Sequence, residues 1–416
     1  MRCPTRSGSA IKICGRHQPL PEFQFLVRNC YLRLDSNFAL CCSVGQRAKG
    51  PYLVCGCRFR LLYSMKNTIV TIREVAKESG FSSTTVSIVL NNAPLARYIP
   101  GSTKKRIERA AKKLGYRPNL FARSLRSKRS HTVGVMVFDM ADPYCTLVLR
   151  GIESSLYQSS YLPILTDVHN ERSRFERYLE MLLDRRVEAL IVLANWLFVN
   201  IEVLADLEKS SVPAVMIGHE LQNPSISSVI VDNEFGAHIA IEHLYKLGHR
   251  KVAFIRGPKT LSDTAPRWKG IRAFAKANDL ELDPRLIVEL PESGDPISSF
   301  EAGYKLTEEL LKQKRPFTAL MAFDDMTAFG GIRALAKAGL RVPEDCSVIG
   351  FDDVAACSLY TPALTTVRQP MEAMGTMAVS IALEGINAVL EKREVTAIHR
   401  KMAPELAVRE STRSVL

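Results

Sequence analysis

The chain has 416 residues, 46% hydrophobic and 24% charged, which excludes a fibrous or wholly disordered protein and allows roughly two to four globular domains. Its net charge of +13 is uneven, with +8 on residues 1–64, +12 on 65–131 and −7 on 132–416. A basic segment ahead of an acidic body points to a polyanion as partner for the first and to something else for the second.

Residues 1–64 hold seven of the ten cysteines. Cys41, Cys42, Cys55 and Cys57 lack the paired spacings of zinc motifs, so neither a metal nor a cofactor is expected. Lys12, Arg16, Arg28 and Arg33 interrupt every apolar run, which argues against a secretory signal. The expectation is that this extension is disordered or not translated, with Met65 as the native start. The most apolar later run, 189–199, has 11 residues with Asn195 inside it, against about 20 needed to span a bilayer. No membrane span is therefore expected. The isolated thiols Cys145, Cys346 and Cys357 suit a reducing, cytoplasmic location.

The basic segment, 65–118, reads as three short helices. Thr71 and Glu74 form a capping box, Ile72, Val75 and Ala76 share a face, and Gly80 ends the helix. Ser82 caps a second helix in which Val86, Val89 and Leu90 point inward. Two helices about a Gly-containing turn predict a helix-turn-helix. A third runs from about Ser102 to Leu114, with Ile107, Ala110, Ala111 and Leu114 inward and Lys104, Lys105, Arg106, Arg109, Lys112 and Lys113 outward. Residues 119–126 have helical spacing but are too few to hold a helix alone, so 119–130 is expected to be a linker that orders only when something holds it.

From Thr132 onward, β-branched runs at 132–138, 189–193, 214–218, 252–255, 319–323 and 347–351 alternate with helical stretches. That alternation predicts parallel sheets covered by helices on both faces. Residues 131–416 are too many for one comfortable doubly wound unit, so two lobes are expected.

The string Thr71-Ile-Arg-Glu-Val-Ala-Lys-Glu-Ser-Gly-Phe-Ser-Ser-Thr-Thr-Val-Ser-Ile-Val-Leu-Asn-Asn92, followed by Leu114-Gly-Tyr-Arg-Pro-Asn119, resembles the lactose/galactose repressor family of bacterial transcription regulators. The resemblance runs from about Val70 to near the C-terminus. It implies a headpiece whose second helix enters the major groove, with Ser83, Thr84 and Ile88 at base-reading positions and Thr71, Ser82, Thr85, Ser87, Asn91 and Tyr116 at phosphate-facing or supporting ones. It also implies a hinge helix at 119–126 whose Leu125 wedges the minor groove, with Asn119 and Arg123 beside it and Arg126, Lys128 and Arg129 near phosphates. Two departures stand out. Many members carry Arg where this chain has Ile88, and the loop between Asn92 and Thr103 is about three residues longer than usual, around 96–98.

The family's body resembles a periplasmic sugar-binding protein, two lobes about a cleft. On that resemblance Tyr144, Arg267, Asp324, Asp352 and Gln369 fall at effector-contacting positions, since carboxylates, a guanidinium fork and an aromatic ring suit a polyol. For each Asp pair, 324–325 and 352–353, helix capping competes with ligand binding. Trp196 and His169 are further candidates, for the cleft or the core.

The expected function is an effector-controlled DNA-binding regulator, a repressor. Its expected partners are operator DNA, a small molecule (a sugar, the family's commonest class, although nucleobase-sensing members exist) and a second copy, or a tetramer. Glu234–Leu247 and the helix after Tyr144 are candidate dimer faces. Alternatives are a carbohydrate-acting enzyme using Asp324, Asp325 and Asp352, and a solute-binding protein. Neither needs the basic headpiece.

Overall fold

The computed structural model describes residues 45–46, 51–52, 70–117, 129–193, 212–219, 226–292 and 296–415. Within the extension only the two-residue antiparallel ladder Gly45–Gln46 with Pro51–Tyr52 is described. The remainder of that stretch, the cysteine cluster, Met65, Trp196 and linker residues 118–128 lie outside the described residues. The chain divides into two compact units at Arg117 and Pro118.

The first unit is a three-helix headpiece: α1 (Ile72–Ser79), α2 (Ser83–Leu90) and α3 (Gly101–Leu114). Glu74 accepts the Thr71 amide at 2.6 Å and the Thr71 hydroxyl at 3.0 Å, and Gly80 ends α1 at φ 76°. The Thr85 amide donates to the Ser82 hydroxyl at 3.1 Å, as the cap reading requires. Val75, Ala76, Val86, Val89, Ile107, Ala110 and Ala111 close the core.

The second unit holds two lobes. In the first, β1 (Thr132–Val137), β2 (Leu162–Asp167), β3 (Ala189–Leu193), β4 (Ala214–Ile217) and β5 (Ile226–Val231) are joined by β11 (His399–Met402), in the order β11-β5-β4-β3-β1-β2. In the second lobe β6 (Val252–Arg256), β7 (Ile287–Glu289), β8 (Ala319–Met321), β9 (Ser347–Asp352), β10 (Thr365–Arg368) and β12 (Glu405–Ala407) follow the order β12-β10-β9-β8-β6-β7. All pairings are parallel except β12 against β10. Helices α4 (Pro143–Gln158) and α5 (Arg172–Asp184) serve the first sheet; α6 (Asn233–Lys246), α7 (Thr264–Ala277), α8 (Pro296–Lys312) and α9 (Asp325–Lys337) serve the second.

The chain passes between the lobes three times: at Asp232, at Gln369-Pro370 and at Ala403-Pro404. Asp232 donates its amide to the Met402 carbonyl at 2.8 Å and pairs with Lys401 at 3.1 Å, so the first and third crossings run side by side.

The last helix, α10 (Met371–Leu390), corrects one expectation: with mean hydropathy 1.5 over 18 residues it is long and apolar enough to cross a bilayer. Its Met374, Ala378, Val379, Ile381, Ala382 and Ile386 are instead buried in the first lobe's core. Where it crosses α4, a Cβ on Gly151 would fall 2.0 Å from the Glu372 carbonyl oxygen, and one on Gly375 would fall 2.2 Å from that of Val148. Glycine is what lets these two backbones touch.

Candidate functional site

The headpiece presents Ser83 and Thr84, both exposed, on the first turn of α2, with Ile88 half-buried on the next turn. Ser82 and Thr85 share a hydroxyl–hydroxyl bond of 2.8 Å. Asn91 donates to the Ser87 carbonyl at 2.9 Å and hydroxyl at 3.1 Å. These four side chains therefore fix the ends of α2 and leave Ser83, Thr84 and Ile88 to face outward. The Thr71 hydroxyl is held by Glu74. The ring of Tyr116, which the sequence put among the DNA contacts, packs against the three-helix core. Asn119, Arg123, Leu125, Arg126 and Lys128 lie outside the described residues.

Arg129 corrects the linker reading. Its guanidinium donates to Glu188 at 2.8 Å and to the Tyr161 hydroxyl at 2.5 Å, and Glu188 also accepts the His131 amide at 2.7 Å. Partial burial pushes the Glu188 carboxyl up, but the His131 amide, Arg129 and the Tyr161 hydroxyl, which donates to it at 3.1 Å, together hold it below its ordinary value. Arg129 thus moors the start of β1 to the first lobe and is not free to neutralise a phosphate.

The cleft is built around Arg267, on the first turn of α7 and only 6% exposed. Its guanidinium carbon lies 3.6 Å from the Phe351 ring centroid and 4.5 Å from that of Phe323. It donates to Asn233 Oδ1 at 2.8 Å and to the Phe323 carbonyl at 2.6 Å, and stands 3.5 Å from Asp263 and 3.9 Å from Asp352. Two rings fix the plane of the fork while its edge faces two carboxylates. Asp352 ends β9 with φ 122° and Asp353 follows with φ 64°, backbone that disfavours a side chain and stores strain at the site. Gln369 donates to Asp352 at 2.6 Å from the second crossing.

The first lobe supplies Asp142, which caps α4 by accepting the Tyr144 amide at 2.9 Å, and the half-buried Tyr144 ring. Burial pushes the Asp142 carboxyl up to about 7, with Asp324 of the other lobe and Asp139 reinforcing the shift. Burial also raises the Tyr144 phenol well above its usual value, and Asp263 and Asp352 across the cleft add to it. Asp263 and Asp352 are themselves raised by burial, although Arg267 opposes the shift. The Ser262 hydroxyl reaches the Gly218 carbonyl at 3.5 Å, so the lobes meet at this edge.

The two Asp pairs divide their labour. Asp324 caps α9 through the Thr327 amide at 2.6 Å. Asp325 accepts the Val354 amide at 2.9 Å, the Thr366 hydroxyl at 2.6 Å and the Cys357 thiol at 3.0 Å. Asp353 is held by Arg368 at 2.5 Å and Arg409 at 2.6 Å. Asp325 and Asp353 are therefore structural, which takes one carboxylate from the catalytic alternative. His169 is exposed and sits 3.6 Å from Asp167, outside any core.

Residues 71–119 match the family described as bacterial regulatory proteins, lacI family, and residues 220–412 match a periplasmic binding protein-like domain. The HTH-type transcriptional repressor PurR of Aliivibrio salmonicida is 33% identical over 345 residues, 82% of this chain and 99% of the relative. The PurR of Edwardsiella ictaluri is 34% identical over 343 residues, 82% and 97% of the two chains. The chain belongs to the lacI family and is a DNA-binding transcriptional repressor.

Among solved structures, the repressor is similar to the lac repressor dimer bound to operator and the anti-inducer ONPF, with TM-score 0.72, 27% identity and coverage of 83% and 99%. It is also similar to the complex of the transcriptional regulator CelR with cellobiose, with TM-score 0.60, 27% identity and coverage of 82% and 99%. Sequence reasoning missed Asp142, Asn233, Asp263, Phe323 and Phe351 as members of the repressor's cleft. Asp142-Pro143 carried the signature of a capped helix start, and Asp263 lies four residues before Arg267 on one helical face. The two phenylalanines read as ordinary strand-end core residues, and nothing local distinguished them.

Proposed function

We propose that the repressor grips a pseudo-palindromic operator as a homodimer in the cytoplasm and that a small uncharged polyol, a sugar, bound between the lobes sets its operator affinity. Ser83, Thr84 and Ile88 read base edges. Thr71, Ser82, Thr85, Ser87, Asn91 and Tyr116 hold or support the phosphate register, and Asn119, Arg123 and Leu125 belong to a hinge that orders on DNA. Ile88 offers a methyl surface to a thymine where an arginine would seek guanine.

The observation that carries the effector reading is the Arg267 guanidinium clamped between Phe323 and Phe351, with its edge turned to Asp263 and Asp352 and with Asp142 and Tyr144 opposite. Carboxyl oxygens around Arg267 accept hydroxyl hydrogens, and the guanidinium is already beside Asp263 and Asp352, which favours an uncharged, hydroxyl-rich molecule. The similar CelR regulator, solved with cellobiose, supports the same class. Gln369 positions Asp352, and Asp324 contributes from the α9 cap.

Dimerisation is supported by apolar side chains left exposed, with Leu359 79%, Tyr360 57%, Tyr157 79% and Leu162 64% accessible. The candidate helix after Tyr144 is α4, whose inner side is taken by α10 and which leaves Tyr157 outward; on α6 the exposed apolar residue is Phe235, at 45%. The test is to map chromosomal binding sites and then titrate the operator complex with the sugars handled by the neighbouring genes. Release or tightening by one sugar is expected. Operator affinity unmoved by all of them, with a response to a charged metabolite instead, overturns the effector reading.

A further inference from the structure

The turn that follows α2 is built more rigidly than a connecting loop requires. Pro94–Tyr98 forms a 3-10 turn with proline at its first position. The Ala93 amide bonds the Ile88 carbonyl at 3.0 Å, the Ala96 amide bonds the Ala93 carbonyl at 2.7 Å, and the Ile99 amide bonds the Ala96 carbonyl at 3.0 Å. Ala96 is 4% exposed and pins the turn from beneath. The segment is thus fastened to the C-terminal end of the helix that carries Ser83, Thr84 and Ile88.

What the turn displays is unusual for a surface that only connects. Leu95 is 59% and Tyr98 69% exposed, and Arg97 is also outward. The Arg97 guanidinium lies 4.7 Å from the Tyr98 ring centroid. Two of the headpiece's three acidic side chains are committed elsewhere, Glu74 to the α1 cap and Glu78 to Lys113 at 2.7 Å. Among the described residues no carboxylate pairs with Arg97. A guanidinium with no carboxylate counterion, held flat by an aromatic ring on a stiff support, is preorganised for a planar, bidentate anion. In a positively charged headpiece next to a groove-reading helix, that anion is a phosphodiester.

We propose that the Pro94–Tyr98 turn is an additional DNA-contacting element, in which Arg97 forks a backbone phosphate outside the bases read by α2 while Tyr98 lies against the adjoining deoxyribose. The inference rests on the headpiece reading above. It adds one phosphate contact per headpiece and lengthens the footprint of each half-site.

The full-length protein is titrated with a random-sequence 40-base-pair duplex, and with an operator selected from random duplexes, across a series of salt concentrations. Because one neutralised phosphate contributes about 0.9 to the slope of log affinity against log salt on B-DNA, Arg97→Ala is expected to flatten the slope by about that amount per bound headpiece. Hydroxyl-radical protection should shrink at the outer edge of each half-site. Arg97→Lys should keep the slope, and Tyr98→Ala should weaken binding several-fold without changing it. Both side chains are exposed, so an unchanged melting curve is the control for folding. An Arg97→Ala protein with wild-type slope and footprint overturns the proposal while leaving the headpiece reading intact. A wild-type protein that binds neither duplex overturns the headpiece reading and the turn with it.

Discussion

Replacing Arg267 by Met removes the cation at the centre of the cleft while keeping an unbranched stem of similar reach. The loss includes two charge-assisted hydrogen bonds, to Asn233 at 2.8 Å and the Phe323 carbonyl at 2.6 Å, each worth about 1.5–3 kcal/mol. It also leaves Asp263 and Asp352 without their counterion. Both carboxyls already sit high because of burial, so without Arg267 they take up protons, and this relief limits the cost. A loss of about 3–5 kcal/mol is expected, the range for removing one partner of a buried pair. Urea unfolding followed by the fluorescence of Trp268, which stands edge-on to Phe254 at 5.6 Å, reads that loss as a midpoint lower by about 1–2 M, with m near 2–3 kcal/mol/M. Operator binding at zero urea should persist while the response to effector disappears. Adding Asp352→Asn should recover part of the stability, because the stranded charge goes. A Met variant within about 0.5 kcal/mol of wild type, and still responsive to effector, would refute the assignment of Arg267 as the centre of both packing and binding.

Three further outcomes test other parts of the structure. Asp142 is lifted to about 7 in the fold, against about 3.9 in an unfolded chain; the folded protein then holds more protons between those values, and this group makes it less stable as pH rises through that window. Asp325, also at about 7, acts in the same direction. Asp142→Asn keeps the acceptor for the Tyr144 amide, so the urea midpoint at pH 7.5 should rise relative to that at pH 5, and an unchanged difference between the two would count against the buried carboxyl. Gly151→Ala places a Cβ 2.0 Å from the Glu372 carbonyl oxygen, which should force α4 and α10 apart at a cost of about 1–3 kcal/mol or more and lower Tm by several degrees in thermal melts. Ile88→Arg should shift the preferred base at one operator position towards guanine in a selection from random duplexes; an unaltered consensus would place Ile88 off the base edges.

Much of the headpiece was legible because its determinants are local. The Thr71–Glu74 box, the Ser82 cap and the glycines at 80 and 115 each act within a few residues, and the inward positions of α1, α2 and α3 follow the helical repeat. The strands read correctly were those with unbroken β-branched runs, such as Ala189–Leu193, buried throughout. The strands missed lie at the edges or carry polar residues. Leu162–Asp167 is an edge strand that tolerates Pro163 and is only half covered. Ile226–Val231 contains Ser227 and Ser228, whose hydroxyls are satisfied by the Ile398 amide at 3.0 Å and by His399 at 2.8 Å, partners some 171 residues away.

The cleft divides along the same line. Paired aspartates at strand ends are visible in the sequence, but which one binds and which one holds the fold depends on donors brought from far along the chain. Thr366 and Val354 commit Asp325, and Arg409 commits Asp353. The Phe323 and Phe351 clamp on Arg267 arises only once β8, β9 and α7 pack together, and Asp142 stands opposite it only when the first lobe meets the second. Short-range periodicity and capping are encoded in neighbouring residues and survive in any context. Desolvation and pairing belong to a position in space, so only the assembled lobes decide which ionisable side chains are stabilisers and which are left to meet a ligand.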